Sequence, residues 1–264
     1  MKKDINDHKC FEYHHALAAN REIFLLKFHE LYLEFLVIDD YASALCETIT
    51  HGRTKEHKTL VSLLPMMSLL QRQMRNAFES FSSMQSYQAW VLFRPALESA
   101  LIMGKWLDDK KYCEIWKNRY EDRKTYSNTF QGSSLESNSL PRSAEIRSVL
   151  SKINDDFMHL NPNYYARHSR LEGKDEKYCL LTTSYFDQDE EHEVHLYAFL
   201  HLCLVTLRCI AAMLQRQFTE DIAIQVDPEI FEKKYKKKIA QLLKTYPNGK
   251  KVLSEFGLWP NQTL

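Results

Sequence analysis

Apolar residues recur at steps of mostly three and four from Leu17 through Phe24, Phe28, Leu31, Phe35, Ile38, Ala42, Leu45 and Ile49. That spacing is the seam of one long helix, and neither Gly nor Pro interrupts it between Glu12 and Thr50. Gly52 follows in a position suited to a C-cap. A second seam, Leu60, Leu63, Met67, Leu70, Met74, Ala77 and Phe81, predicts a helix over about 58–81. Pro65 marks either its first turn or a kink. The short link between the two seams predicts an antiparallel helical hairpin.

A third helix is predicted from Ser83 to Trp106, bent at Pro95, and a more polar one from Asp108 to Tyr126. The serine-rich stretch over 127–143 holds Gly132 and Pro141 and reads as an exposed, mobile loop. A short helix follows over Ala144 to Met158. Helical spacing then lapses over 164–186. The run Tyr178 to Phe186 is rich in β-prone residues and follows the turn signal Glu172-Gly173-Lys174-Asp175, so a small β-hairpin or ordered loop is expected. The acidic run over 187–193 opens a helix to about Phe218 that is apolar nearly all round, as the central member of a bundle would be. A last helix starts at Pro228 and ends near Thr245. The expected architecture is mainly α: a multi-helix bundle over 1–225, with a C-terminal helix and tail over 226–264 packed on it.

Composition adds limits. Only 6 Gly and 7 Pro occur, which favours long helices over many short strands. With 35 basic and 35 acidic residues, the net charge offers no general attraction to nucleic acid or membrane. The six cysteines are scattered without a Cys-x-x-Cys pair, which suits free thiols in the reducing cytoplasm. The stretch Val194 to Gln215 has the apolarity of a membrane span, but His195, His201 and Arg208 within it argue for a core helix.

The most suggestive chemistry is Arg94 and Glu98, one turn apart on a strongly apolar helix. His201, Arg208 and Gln215 fall seven apart and define a polar stripe on the central helix. If the stripes meet in a cleft, joined by His159, Arg94 would bind an anion while His159 or Glu98 moves a proton. The alternative is a buried ion-pair network that fixes helix register. Glu190-Glu191-His192-Glu193-Val194-His195 has metal-ligand residue types but no Glu-x-x-His, and reads as an acidic, solvated helix start. No metal or cofactor is expected. Lys233, Lys234, Lys236, Lys237 and Lys238 share a helix with the apolar stripe Phe231, Tyr235, Ile239 and Leu242, so they read as its wet face rather than a phosphate track. Tyr164, Tyr165, Arg167, His168 and Arg170 form an aromatic and basic cluster able to stack and clamp a nucleotide; a surface loop is the alternative. No phosphate-cradling glycine loop, G-x-S-x-G elbow or kinase signature is present.

AWVLFRPALESALIMGKWLDD, followed downstream by DDFMHLNPNYYARHS, resembles an uncharacterised bacterial all-helical family, similar in outline to HEPN-type proteins. The resemblance covers about Gln73 to Ser169. It implies a defence or toxin ribonuclease, or another phosphate-processing enzyme, with Arg94, Glu98 and His159 as its site. Where the nuclease pattern sets a histidine beyond the arginine on the same helix, this chain has Ser99, Ala100 and Leu101. Two function classes follow: a cytoplasmic interaction or regulatory protein, or that enzyme. The long seams also predict a homodimer that completes its core in trans.

Overall fold

The structure is a computed structural model that describes residues 9–51, 61–158, 169–175, 178–183, 186–187, 189–217 and 228–245. It is mainly helical. The predicted first helix is divided: α1 (Lys9–Lys27) and α2 (His29–His51) meet at a bend at Phe28. The backbone still bonds across it, from Phe28 N–H to the Phe24 carbonyl at 2.8 Å and from Tyr32 N–H to the Phe28 carbonyl at 3.0 Å. The bend sits where the chain joins the core. Downstream, Leu31, Phe35, Ile38, Ala42, Leu45 and Ile49 are all buried, whereas in α1 only Phe24 is, among the described residues. Phe24 and Phe35, on either side of the bend, both meet Phe78, at 5.7 and 3.9 Å.

Helix α3 (Leu64–Ser82) begins at its proline, with Pro65 in the first turn, where a missing N–H costs nothing. Three residues link it to α4 (Ser86–Asp108), and these two helices pack against each other. Met84 in the link adopts φ 61°, a left-handed conformation that costs a side-chain-bearing residue about 1 kcal/mol. Between α2 and α3, Asp39 takes a two-point bond from Arg75, at 2.8 and 2.7 Å, and a third from Gln71 at 3.1 Å.

The stretch after α4 departs from expectation. The polar helix predicted from Asp108 to Tyr126 is two short ones, α5 (Lys111–Lys117) and α6 (Arg123–Phe130), the second capped by Asp122 at 3.0 Å. The loop predicted as exposed and mobile is anchored. Asp108, at the end of α4, accepts from Ser137 Oγ and the Asn138 N–H at 3.1 Å each, and from the Ser139 N–H at 2.7 Å. Ser143 closes the turn by donating to the Ser137 carbonyl at 2.7 Å. Leu135, Ser137 and Leu140 are buried. Serine richness here means hydroxyls used as turn-forming partners.

Gly104 makes this packing possible. A Cβ there would lie 2.6 Å from Ser137 Oγ and 2.8 Å from Leu140 Cβ. Those atoms sit close to the backbone, so the loop itself would have to move. Gly104→Ala is therefore expected to destabilise by about 1–2 kcal/mol, an overpacking cost that exceeds the helix-propensity gain of alanine. Urea unfolding would check this; equal or greater stability would mean that the loop yields freely.

Helix α7 (Ser143–Ile153) runs into a π turn at Asn154–Met158 and packs on α4. Strand β1 (Ser169–Asp175) pairs antiparallel with β2 (Tyr178–Thr183), Ser169 opposite Thr183 and Leu171 opposite Leu181. Helix α8 (Asp189–Gln215) contacts α2, α3, α4 and α9 (Pro228–Thr245). Its span His192–Gln215 is long and apolar enough to cross a membrane, with a mean hydropathy of 1.8, but 89% of that window is buried inside the fold, as in a core helix. Phe199 packs on Phe81 and Phe93, with centroids 4.9 and 5.0 Å away. On α9, Tyr235 and Leu242 are buried while Lys233, Lys234 and Lys237 are exposed.

Candidate functional site

Arg94 and Glu98 pair as their spacing on α4 allows. Arg94 Nη1 donates to Glu98 Oε2 at 2.9 Å, and Arg94 Nε donates to Asn154 Oδ1 in the π turn. The side chains are 29% and 27% exposed, so the pair lies at the edge of the bundle rather than sealed within it. Tyr126 of α6 is close by. Burial pushes its hydroxyl pKa up, the Glu98 carboxylate adds to this, and Arg119 and Arg94 oppose it.

The polar stripe of α8 lies elsewhere. What α4 sends toward α8 is Trp90 and Phe93, which meet His195 and Phe199. His201 is buried, yet it stands two residues beyond Phe199, about 200° around the helix. Arg208 sits beside α2, where its charge lowers the pKa of Tyr41 against a larger upward push from burial. The pair on α4 and the stripe on α8 therefore meet different neighbours: Asn154 for Arg94, and Tyr41 of α2 for Arg208. His159, Arg167 and His168 fall outside the described residues, and Arg170 is described only as a β1 position opposite Thr182.

A buried polar cluster at the start of α8 joins His192 and His195 to residues that the sequence did not single out. Asp187 precedes α8, and its Oδ2 accepts from the Ser86 N–H at 2.7 Å. A carboxylate 101 residues away thus caps the N-terminus of α4, where the free N–H groups and helix dipole favour an anion. Asp187 N–H also donates to the Met84 carbonyl at 2.9 Å. His192 places Nδ1 3.3 Å from Asp187 Oδ2 and 3.4 Å from Ser86 Oγ. Trp90 Nε1 donates to His195 Nδ1 at 3.0 Å. His192, His195, Ser86 and Trp90 are all buried. Burial works to raise the Asp187 carboxyl pKa. The hydrogen bond from His192, the charges of His192 and His195, and the bond with Ser86 outweigh it and hold the carboxyl below its usual range.

Ser, His and Asp together suggest a nucleophile with its base, but the connectivity is wrong. In such a triad the nucleophile and the orienting carboxylate occupy opposite ring nitrogens. Here both lie on Nδ1. Nε2 is buried without a hydrogen-bond partner, and the ring is surrounded by Phe24, Phe28 and Phe81 with centroids 6.2, 6.0 and 5.9 Å away. The cluster locks the α3–α4 turn to the start of α8.

This corrects the reading of the acidic run as a solvated helix start: His192 and His195 are core residues. The available signal was their position, since His192, His195 and Phe199 continue the seam of α8 at steps of three and four. Nothing local indicated that Asp187 caps a distant helix. Among the described residues, no group of three or more His, Cys, Asp or Glu side chains is arranged to hold a metal ion. No protein-family model, curated protein or solved structure matches this chain.

Proposed function

We propose that this chain is a non-catalytic interaction or regulatory protein of the cytoplasm. In this reading it is a bundle of long antiparallel helices, carrying the 169–183 ladder as a small hairpin insertion. The observation that carries the reading is a row of outward apolar side chains on α1 and α2. Leu26 is 84% exposed, Leu33 48%, Ile23 43% and Leu36 41%. Scattered exposed leucines are ordinary; several along one helical arm form a patch of the kind that binds another protein.

Two further observations support it. Arg94 gives donors to Glu98 and Asn154, as an arginine that ties α4 to the π turn does. The lysines of α9 are partly matched by acids of the bundle: Lys234 with Glu34, and Lys238 with Glu193 at 3.8 Å. That pairing weakens α9 as a phosphate track.

Arg94→Ala separates this reading from a HEPN-like ribonuclease. The expected variant is folded, less stable by about 1 kcal/mol from loss of a partly buried pair and one side-chain bond, and unchanged in an assay on single-stranded RNA. RNA cleavage by the native protein that disappears in folded Arg94→Ala would overturn the interaction reading.

A further inference from the structure

Helix α9 carries a large positive charge for its length. Six lysines and two glutamates lie in it, with Lys233, Lys234, Lys236, Lys237 and Lys238 in one run. Cations three and four apart on one helix repel, so the run works against α9 as a free helix. Glu229 and Glu232, near its start, offset only part of that. The apolar side is narrow: among the described residues of α9, Tyr235 and Leu242 are buried, while Lys233, Lys237 and Lys244 face solvent. A helix of this kind owes its order to the surface it docks on.

That surface is acidic. Tyr235 meets Tyr197 of α8 edge-on, with centroids 6.2 Å apart. Burial, then the charges of Glu193, Glu34 and Glu30, push the Tyr197 hydroxyl pKa up, which gathers three carboxylates near one ring. Lys238 lies 3.8 Å from Glu193 and 5.9 Å from the Tyr197 centroid. Glu34 of α2 is only 6% exposed, and its Oε1 accepts from Lys234 Nζ. Burial and then the same carboxylate push the Tyr235 hydroxyl pKa up. Lys234 and Tyr235, neighbours on α9, therefore both stand against Glu34. Docking takes this carboxylate out of water and sets one lysine on it. Such an exchange is close to break-even while the pair is whole, and strongly unfavourable once the cation is lost. We infer that α9 is a releasable latch, with Lys234 on Glu34 as its catch: the lysine charge keeps the helix on α2 and α8, and neutralising that one charge lets α9 leave as a unit while the rest of the bundle stays folded. Lys238 does not hold α9 alone, because its pair with Glu193 is long and its side chain is 41% exposed. Release uncovers Glu34 and Tyr197, which changes what the α2 side of the bundle offers a partner.

Hydrogen exchange on the full chain, followed by mass spectrometry, tests the latch. In the native protein the amides of 236–245 are expected to exchange about tenfold faster than those at the centres of α3 and α4. Lys234→Gln is expected to speed α9 by about another tenfold without moving α3 or α4. Lys234→Arg keeps the charge and should stay near the native rate. Glu34→Gln added to Lys234→Gln should recover most of the loss, since no buried charge is then left without its cation. Exchange of α9 in step with α3 and α4, in the native chain or in Lys234→Gln, overturns the proposal, because the helix then opens only with the whole fold. An α9 unmoved by Lys234→Gln overturns it as well, as does a Lys234→Arg variant as fast as Lys234→Gln. The latch needs no partner on the α1–α2 row and no change at Arg94, so it can fail while the non-catalytic reading stands.

Discussion

Asp187→Ala is expected to destabilise the fold by about 3 kcal/mol at neutral pH. The change strips the cap from Ser86 N–H and leaves the buried His192 without its carboxylate. Removing one partner of a buried, charge-assisted group costs far more than the group's net contribution, because the other partner stays desolvated. Asp187→Asn keeps an acceptor for the helix N-terminus and should recover part of the loss. The pH dependence is specific. The carboxyl is held below its usual range in the folded chain, while in the unfolded chain it titrates near about 3.9. The unfolded state therefore takes up the proton first. The stabilisation is complete above about pH 4–5 and is lost as pH falls through the folded value. Urea unfolding of both proteins from neutral to acidic pH would show the gap narrow on the acid side. A constant gap would mean that Asp187 acts through its backbone and shape rather than its charge.

Trp90→Ala should cost about 3–5 kcal/mol, enough to bring a domain of ordinary stability close to its threshold. Trp90 is fully buried where α3, α4, the π turn and α8 converge. Its ring meets Phe81 at 5.8 Å, Phe93 at 6.1 Å and Phe199 at 6.3 Å, all edge-on, and Phe157 at 6.4 Å. Edge-to-face pairs add to simple area burial, and a cavity at this junction has neighbours from four elements that cannot all relax into it. For a chain this size the expected fall in Tm is about 10 °C. Trp90→Phe separates the terms: it keeps most of the volume and removes only the N–H bond to His195, so its cost should be nearer 1–2 kcal/mol. A Tm within a few degrees of the native protein for Trp90→Ala would show that the junction is loosely packed.

Helical character was legible in the sequence wherever one rule of spacing governed. Leu31 to Ile49 and Leu63 to Phe81 are buried along their seams, and the α8 run is a buried core helix, because a 3.6-residue repeat dictates which side chains share a face. The Arg94–Glu98 pair followed from the same rule. Tertiary structure decided what depends on distant partners. The bend at Phe28 carries no glycine or proline; it marks where continuous burial of the seam begins. The serine-rich stretch is ordered because a carboxylate at Asp108 and a bare α-carbon at Gly104 face it from another helix. The His192 cluster exists because Asp187 is brought to Ser86 across 101 residues. Local pattern records the face a residue presents; what meets that face is set by chain topology, which no window of sequence contains.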